Sequence, residues 1–324
     1  MMERICSLSP GWQAEAVALY NRVSAGLKLP YGRRITTQFL ERRLFGSQLW
    51  SSDCSRLLLD DAGRVIGMAL ANRRSNPGVG QGERLLLHWL GIDPLWQGRG
   101  LGGQLLRHMQ ALARQGGQRA VASALQWSGL WPGVVEGLQG MEGLVARSGG
   151  EWQPGELFLR CAVQGRSWTE QGEVPIVGFT QAHAAGLRGL LQENFSIGWQ
   201  HETLSRIDQN YEPFNGYGLS ETYCAAPVGR DLLIAEVAGE VVGFCVLQAG
   251  EEGMAFFGPV GLRPEWRKRG IGSALLHAAL RRTQDIGCQE MGLWTNQTLA
   301  EGFYLPLGLQ RGCVTRHVVW KSHA

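Results

Sequence analysis

Two short loops in this chain combine glycine with basic side chains in a way that could hold a phosphate group. One loop spans residues 97–100 and the other spans residues 267–270, and each ends with an arginine followed by a glycine. Apolar residues at helical spacing follow each loop, which predicts an amphipathic helix that starts there. Amides at a helix N-terminus attract anions, and glycine lets the backbone approach them closely. The ligand that best suits this arrangement is a pyrophosphate.

The two loops belong to a longer internal repeat. Segment 90–117 reappears as segment 260–287, and Gly100 and Gly270 hold equivalent positions at an offset of 170 residues. The apolar positions of the two predicted helices coincide under the same offset. A repeat of this length, with its glycines in register, predicts two copies of one supersecondary unit. The coincident positions are Leu101, Leu105, Leu106 and Met109 in the first copy and Ile271, Leu275, Leu276 and Ala279 in the second.

The first loop also matches the Gly-x-Gly-x-x-Gly pattern of dinucleotide-binding proteins, from Gly98 to Gly103. In the second copy Lys268 and Ser273 replace the outer two glycines. Moreover, no strand with an acidic end follows at the distance that a ribose contact requires. We therefore disfavour a dinucleotide oxidoreductase. The other alternative is a glycine-rich turn that merely caps a helix, and two copies in the same context argue against it.

Both copies share Gln or Arg, two residues, Gly, one residue and Gly, directly after a predicted strand and at a helix start. The chain resembles, twice, the GNAT superfamily of acyl-CoA-dependent N-acyltransferases, whose signature is that loop. The resemblance implies an α/β (α+β) fold with two tandem GNAT-like domains, each a mixed, mostly antiparallel sheet flanked by helices. It also implies acetyl-CoA as the cofactor. The loop residues implied to bind the coenzyme are Gln97, Gly98, Arg99, Gly100, Gly102 and Gly103 in the first copy and Arg267, Lys268, Arg269, Gly270, Ile271, Gly272 and Ser273 in the second.

After the repeated helix, the second half has a further motif. A strand over residues 291–294 leads to Asn296 and then to a helix that carries Tyr304. This order is similar to the GNAT motif that completes the cofactor site, and it implies that Asn296 binds the coenzyme. It also implies that Tyr304 protonates the departing thiolate, which a phenol with a pKa near 10 can do at neutral pH. The alternative for Tyr304 is a packed aromatic ring. We expect no counterpart of this helix between residues 121 and 163.

In the family, backbone groups of a splayed fourth strand serve the thioester and the pantetheine arm. The corresponding segments here are residues 85–92 and 256–262. Gly258, Pro259 and Gly261 interrupt the second of these, as is typical of a bulge, although an irregular edge strand is an alternative. The strand residues implied to contact the coenzyme are Val260, Leu262 and Ile92.

The base that deprotonates the acceptor has the weakest signal in the sequence. An amine is mostly protonated at pH 7, so a base is needed. Glu251 and Glu252 precede the fourth strand of the second half, and we select Glu252, although paired acids in a turn are commonly just solvated. His88 lies between apolar strand residues, which favours a packed side chain. Aromatic residues that could line an acceptor cleft or fill the core are Phe195, Trp199, Tyr211, Phe214 and Tyr217.

Length and composition agree with two modules. The 324 residues, 44% apolar and 18% charged, are ordinary for a globular enzyme of about two domains. We expect a non-catalytic or degenerate domain over residues 1–165 and a catalytic domain over residues 174–324, joined by a polar linker. The net charge of +3 gives no basis for nucleic acid binding. Seven dispersed cysteines without Cys-x-x-Cys spacing predict reduced thiols in the cytoplasm and no metal site.

The functional expectation follows from the second half of the chain. We expect an N-acetyltransferase that moves the acetyl group of acetyl-CoA to a primary amine, on a small molecule or a peptide, with its chemistry in the second domain. The alternative from another class is a non-catalytic acyl-CoA sensor. No signal peptide and no membrane span are predicted. The sequence leaves the acceptor and the oligomeric state open.

Overall fold

The computed structural model describes residues 4–27, 34–41, 45, 50–73, 83–123, 133–168, 174–208, 232–249 and 253–322. The chain divides into two compact units. The first unit comprises Met1–Glu156 and Cys313–Ala324, and the second comprises Leu157–Gly312. The units are therefore not two contiguous halves, because the end of the chain belongs to the first unit. The domain limits expected from the sequence, 1–165 and 174–324, remain a prediction.

The first unit is a mixed sheet with helices. Its strands are β1 (Arg4–Ser7), β2 (Arg56–Leu59), β3 (Val65–Asn72), β4 (Arg84–Ile92), β5 (Ala120–Ser123), β6 (Val134–Val135), the start of β7 (Glu151–Ala162) and most of β13 (Gln310–Lys321). Its helices are α1 (Gln13–Leu27), α2 (Thr37–Leu40), α3 (Leu101–Gln115) and α4 (Gln139–Arg147). Strands β1 to β4 are antiparallel neighbours, β5 is parallel to β4, and β13 is antiparallel to β5 and β6.

The second unit has the same strand order. Its remaining strands are β8 (Ile176–Gly178), β9 (Leu232–Val237), β10 (Glu240–Ala249), β11 (Met254–Leu262) and β12 (Glu290–Thr295). Its helices are α5 (Ala184–Asn194), α6 (Ile197–Leu204), α7 (Ile271–Asp285) and the short α8 (Gln297–Leu299), which continues into a π-helical turn, Ala300–Tyr304. Strands β8 to β11 are antiparallel neighbours, β12 is parallel to β11, and β7 is antiparallel to β12.

Helices α3 and α7 bury the apolar faces that the sequence predicts. Leu105 and Leu106 of α3 and Leu275 and Leu276 of α7 have no accessible surface. Burial of a leucine side chain contributes roughly 1.5–3 kcal/mol. These helices therefore hold the glycine loops firmly against the sheets. No helix in the described ranges is both long enough and apolar enough to cross a membrane.

An ion pair of opposite polarity ties the first long helix of each unit to the end of its fourth strand. In the first unit Arg22 of α1 lies 2.9 Å from Asp93, which follows β4. In the second unit Glu193 of α5 lies 2.7 Å from Arg263, which follows β11. Partly exposed pairs of this kind contribute about 0–1 kcal/mol to stability. Both units keep the contact, although the basic residue is on the helix in the first unit and after the strand in the second.

Strand β13 ends inside the core of the first unit. Trp320 is fully buried there, and its indole Nε1 donates a hydrogen bond to Ser148 Oγ at 2.8 Å. The backbone N–H of Val318 donates to Ser123 Oγ at 2.9 Å. Sequence order assigns this strand to the second domain, but pairing between strands is decided by distant contacts rather than by proximity along the chain.

Two helices differ from the sequence prediction. The sequence predicts a helix over residues 202–210, but α6 starts at Ile197, five residues earlier, because Ser196 adopts an extended N-cap conformation. Helix α4 lies where no helix was expected. The helix predicted over residues 37–45 is described as α2 over Thr37–Leu40, and residues 42–44 lie outside the described part of the chain.

Candidate active site

The two glycine loops have the same backbone conformation. Gly98 and Gly100 have φ values of 77° and 78°, and the equivalent Lys268 and Gly270 have φ values of 61° and 79°. Positive φ is uncommon at a residue with a Cβ atom. Because Lys268 adopts it, the second loop has the shape of the first, although Lys268 stands where the first loop has Gly98.

Helices α3 and α7 begin with amides that no side chain caps. Gly100 and Gly270 are the N-cap residues, and neither helix has a side-chain capping bond. The amide of Gln104 donates to Gly100 at 3.1 Å, and that of Ala274 donates to Gly270 at 3.0 Å. Amides earlier in the first turn have no intrahelical acceptor and suit an anionic ligand. They belong to Leu101, Gly102 and Gly103 in α3 and to Ile271, Gly272 and Ser273 in α7.

Side chains of each loop fasten it to the preceding strand and turn. Gln97 Nε2 donates to the carbonyl of Ile92 at 2.9 Å, and Arg267 Nη2 donates to the carbonyl of Leu262 at 3.4 Å. The guanidinium groups of two arginines lie over tryptophan rings, which holds positive charge at the loop. These pairs are Arg99 on Trp96, at 4.7 Å, and Arg269 on Trp266, at 4.8 Å from the ring centre.

The fourth strand of the second unit separates from its parallel neighbour. Among the residues that the structure describes, strand β11 pairs with β12 only over Met254–Phe256, although β12 continues to Thr295. The remainder of β11 continues along its antiparallel partner, so a wedge opens beside residues 257–262. In the first unit β4 pairs with β5 over the whole described length of β5, Ala120–Ser123.

A bulge lies at the start of this wedge, as the sequence predicts, and β4 has a bulge at the equivalent position. The register between β3 and β4 shifts opposite His88, and that between β10 and β11 shifts opposite Gly258. Gly258 has a φ of 126°, a conformation that favours glycine. A bulge adds twist and bends the strand away from its neighbour.

Alternate residues of each fourth strand direct their backbone groups away from the antiparallel partner. Arg263 donates its amide to Val242 of β10 at 2.9 Å, and Asp93 donates to Ile66 of β3 at 2.8 Å. Successive residues of a strand direct their backbone groups to opposite sides. The predicted coenzyme contacts therefore face away from the partner strand, and those of β11 face the wedge. They are Leu262 and Val260, one and three residues before Arg263, and Ile92, the residue before Asp93.

Tyr304 ends the π-helical turn beside the start of the wedge. Its side chain is 5% exposed, and its ring centre lies 6.4 Å from that of Phe257, the residue before the bulge. Burial, together with the nearby Cys245 thiol, raises the pKa of Tyr304 to about 12. The hydroxyl is therefore protonated at neutral pH, and its chemistry is that of a proton donor.

Helix α4 is the first unit's counterpart of the turn that carries Tyr304. A Cβ atom on Gly102 would lie 3.8 Å from Leu144 Cδ2, and one on Gly272 would lie 3.3 Å from Phe303 Cζ. Leu144 and Phe303 thus cover equivalent positions of α3 and α7. The expectation of no counterpart was wrong, because the longer segment before α4 breaks the constant offset of 170 residues.

Val145 occupies the position of Tyr304 in the first unit. The amide of Gly150 donates to the carbonyl of Val145 at 3.0 Å, as that of Leu309 donates to Tyr304 at 3.3 Å. A glycine of positive φ precedes each donor, Gly149 at 66° and Gly308 at 91°. Val145 is fully buried and has no proton to donate. The first unit therefore keeps the helix but has no ionisable side chain at the position equivalent to Tyr304.

Aromatic rings cover the other face of both fourth strands. A Cβ atom on Gly91 would lie 2.2 Å from the ring of Trp89, and one on Gly261 would lie 2.2 Å from the ring of Phe195. Glycine is required at both positions because the ring packs directly on the backbone. The covering ring comes from the strand itself in the first unit and from the end of α5 in the second.

The two aromatic covers differ in their access to solvent. Trp89 packs against Tyr20 at 5.3 Å between ring centres, and the two residues are 5% and 4% exposed. Phe195 stacks on Trp199 at 5.2 Å with an interplanar angle of 5°, and Trp199 is 38% exposed. The first unit is closed at this face, whereas the second presents a ring to solvent.

Glu202 of α6 lies on this same face of the second unit. Gln248 of β10, itself 8% exposed, donates from Nε2 to Glu202 Oε1 at 3.4 Å. Close packing by protein atoms removes solvent and raises the pKa of Glu202 to about 7, although the Arg206 charge opposes this. Neither residue was predicted. The one available signal was Gln248, a polar residue in an apolar strand run.

Other candidates have structural roles or lie outside the described residues. Asn296 caps α8, with its Oδ1 accepting the amide of Leu299 at 2.9 Å. His88 is 3% exposed, as expected of a packed residue, and burial lowers its pKa to about 4. The predicted base Glu252 and its neighbour Glu251 lie outside the described part of the chain, as do three predicted cleft aromatics, Tyr211, Phe214 and Tyr217. In the described ranges no group of three or more His, Cys, Asp or Glu side chains could hold a metal ion.

The sequence profile of the acetyltransferase (GNAT) family matches residues 29–126 and 185–309. The chain therefore belongs to the GNAT acetyltransferase family, and it carries the family unit twice. No curated protein sequence matches it.

Solved structures of the same fold include other GNAT proteins. A tandem GNAT protein from the clavulanic acid biosynthesis pathway has a TM-score of 0.70 at 13% identity, covering 100% of this chain and 99% of its own. A GCN5-related N-acetyltransferase from Sphaerobacter thermophilus has a TM-score of 0.68 at 16% identity, covering 99% and 96%. A glucosamine N-acetyltransferase region of a fungal multi-domain beta-N-acetylglucosaminidase has a TM-score of 0.74 at 16% identity, covering 98% of this chain. This chain spans only 38% of the length of that fungal protein.

Proposed function

We propose that this protein transfers the acetyl group of acetyl-CoA to a primary amine and that the reaction takes place in its second unit. Family membership supports acyl transfer in general. The acetyl donor, the amine acceptor and the location of the chemistry are the parts that we propose. Seven dispersed cysteines without Cys-x-x-Cys spacing support a reducing, cytoplasmic setting for this activity.

The observation that carries the proposal is the position of Tyr304 beside the wedge of β11. The acetyl thioester supplies an electrophilic carbonyl and a thiolate leaving group. The Tyr304 hydroxyl holds a proton at neutral pH and can donate it to the departing sulfur. Val145 in the first unit has the same place and no such proton. We therefore assign the reaction to the second unit.

The second unit also has the features that a coenzyme A molecule requires. Amides of Ile271, Gly272 and Ser273 and the charge of Arg269 suit its pyrophosphate. Backbone groups of Val260 and Leu262, which face the wedge, suit the amides of its pantetheine arm and the carbonyl of the thioester. Asn296 can still donate from its Nδ2 group while its oxygen caps α8.

The first unit has the loop, but Val145 stands at the position of Tyr304, and the aromatic cover of its fourth strand is buried. We propose that it binds coenzyme A without turnover, through Gln97, Arg99 and the amides that follow Gly100. These features also support an alternative for the whole chain, a non-catalytic acyl-CoA sensor. The activity of the second unit distinguishes the two functions.

A thermal-shift titration tests the coenzyme. Coenzyme A and acetyl-CoA should stabilise the protein, by about 2.7 kcal/mol at a ligand concentration one hundred times the dissociation constant. NAD and NADH serve as controls of similar pyrophosphate chemistry and should give no shift. A shift with NAD and none with coenzyme A would overturn the assignment of the loops.

A thiol-release assay tests the transfer reaction. Acetyl-CoA is mixed with a panel that contains glucosamine, spermidine, an aminoglycoside and a peptide with a free N-terminus. Glucosamine is included because one structural neighbour contains a region described as a glucosamine N-acetyltransferase. Release of coenzyme A that depends on one amine supports the enzyme. Binding of acetyl-CoA without release for any amine supports the sensor.

A further inference from the structure

The face of the second unit formed by α6 carries two side chains with no role in coenzyme binding. Trp199 and Glu202 are three residues apart on this helix, so they lie on one side of it. Trp199 is 38% exposed, and the exposed Ile197 precedes it. An exposed aromatic ring three residues from a partly buried carboxyl group is unusual for a face that only fills a core.

This face is opposite to the one that holds Tyr304. Phe195, which stacks on Trp199, covers Gly261 from the α5 and α6 side of β11. Cys245 and Phe257, by contrast, face α7 and Tyr304, since Cys245 Sγ lies 3.9 Å from the carbonyl of Leu275. The splayed strand thus lies between Glu202 on one side and Tyr304 on the other.

We infer that α6 forms the acceptor site, in which the Glu202 carboxylate takes the proton of the substrate ammonium group and Trp199 packs against the body of the same substrate. The inference rests on the proposed function. It favours an acceptor whose amine is borne on a flat, partly apolar body, such as a sugar or aromatic ring, because a stacked indole offers a planar contact. Gln248 is a positioning residue, whose amide orients the carboxylate.

The proton balance of the reaction requires one base and one acid. The Glu202 carboxylate accepts one proton from the ammonium group and leaves a neutral amine. The amine nitrogen then forms a bond to the acetyl carbon, and the carbon–sulfur bond breaks. Tyr304 gives its proton to the sulfur and regains the second proton that the nitrogen loses. Glu202 returns its proton to solvent, so the net products are the amide, the free thiol and one proton.

The charged surroundings of Glu202 allow this role near neutral pH. Arg206, in the turn that follows α6, is the charged group that acts on it, and β10 contributes the neutral amide of Gln248. Arg188 of α5 is engaged by Asp208 at 2.7 Å. With its pKa raised to about 7, Glu202 is partly ionised at pH 7 and can both take and release a proton.

The decisive variant is Glu202→Gln, studied with the amine from the panel that releases most thiol. We expect kcat/KM to fall about 100-fold or more, within the range of general base effects, and the limb of the pH profile near pH 7 to disappear. Gln248→Leu should retain the pH dependence of kcat/KM near pH 7 but shift its apparent pKa. Asp285→Asn is the control, since Asp285 is an exposed carboxylate at the end of α7.

Trp199→Ala tests the packing part of the inference. It should raise KM for the amine about tenfold or more with little change in kcat, because the contact is the same before and during the reaction. Trp199→Phe should restore most of the affinity. Ile197→Ala, a change at an exposed neighbour on the same helix, should have little effect.

A thermal measurement without any amine gives a second readout. The pKa of Glu202 is raised, so the folded protein binds a proton more tightly than the unfolded chain, and stability falls as pH rises from about 4.5 to about 7. Glu202→Gln should therefore raise the Tm at pH 8 more than at pH 5.

The outcomes separate this inference from the proposed function. Wild-type protein that transfers to no amine would remove the proposed function, and the inference with it. Wild-type protein that transfers acetyl groups while Glu202→Gln keeps both its rate and its pH limb would overturn the inference alone. A normal rate and normal KM in Trp199→Ala would place the substrate body elsewhere.

Discussion

The two units share one frame of loop, helix and strand, our proposed coenzyme site, and differ in what surrounds it. Each has a glycine loop of the same backbone shape, an amphipathic helix without a side-chain cap, and a fourth strand with a bulge. Around this frame the first unit places Val145 and the buried pair Trp89 and Tyr20. The second places Tyr304, the exposed Trp199 and Glu202.

This difference indicates that ligand binding and catalysis rest on separable parts of the fold. The loop and the splayed strand act through backbone groups, which many sequences can supply as long as the φ values are maintained. Proton transfer requires particular side chains, and a single substitution removes it. The reversed ion pair between the first helix and the fourth strand shows the same tolerance, because the contact survives an exchange of charges.

The largest expected effect is from a matched change in the two loops, Gly100→Asp and Gly270→Asp. A Cβ atom at either glycine meets nothing within 4 Å, and Asp tolerates positive φ better than most residues, so both variants should fold. A carboxylate would repel the coenzyme phosphate. Gly270→Asp should therefore reduce turnover by about 100-fold or more, since repulsion of about 3 kcal/mol has that effect.

Gly100→Asp should leave most of the activity and reduce only the number of coenzyme A molecules bound. Calorimetric stoichiometry and thiol release, measured on both variants after a circular dichroism check of folding, make the comparison. If Gly100→Asp alone abolishes turnover in a folded protein, the catalytic unit is the first one, and His88 becomes the residue to study.

The next effect concerns the acid. Tyr304→Phe retains the ring that packs near Phe257 and removes the hydroxyl, so coenzyme affinity should be unchanged while kcat falls about 10- to 1,000-fold. Tyr20→Phe in the first unit is the matched control and should leave kcat unchanged. Equal turnover of Tyr304→Phe and wild-type protein would mean that water or another group protonates the sulfur.

The smallest effect is on stability and concerns His88, which stands at the bulge position that Gly258 holds in the second unit. Burial lowers the pKa of His88 to about 4, so the unfolded chain binds the proton more tightly. Stability therefore falls as pH decreases from about 6.5 to about 4, by an upper limit on the order of 3 kcal/mol.

His88→Gln should reduce the Tm difference between pH 7 and pH 5 and leave turnover at pH 7 unchanged. Differential scanning calorimetry at the two pH values measures the first quantity, and thiol release measures the second. A large loss of turnover with an unchanged pH dependence of Tm would assign His88 a chemical role in place of a structural one.

Most of the proposed coenzyme site could be predicted from sequence because its elements are short and local. The glycine loops, the buried faces of α3 and α7 and the bulge at Gly258 all follow from spacing within a few residues, and the repeat doubled each signal. The start of α6 was placed five residues late, because its N-cap, Ser196, forms no pattern by itself. For the base, an acidic pair in a turn was the one local signal, and it led to Glu252.

By itself the sequence determined that the chain carries one unit twice, each with a glycine loop at the start of an amphipathic helix, since periodicity and glycine positions are properties of neighbouring residues. Its resemblance to the GNAT family rests on these elements. Only the tertiary structure decided that Val145 stands where Tyr304 does, that Gln248 meets Glu202, and that β13 completes the first unit. These relations join residues far apart in the chain. They depend on loop lengths and strand pairing, which no local pattern records, and for that reason they appear only when the chain is folded.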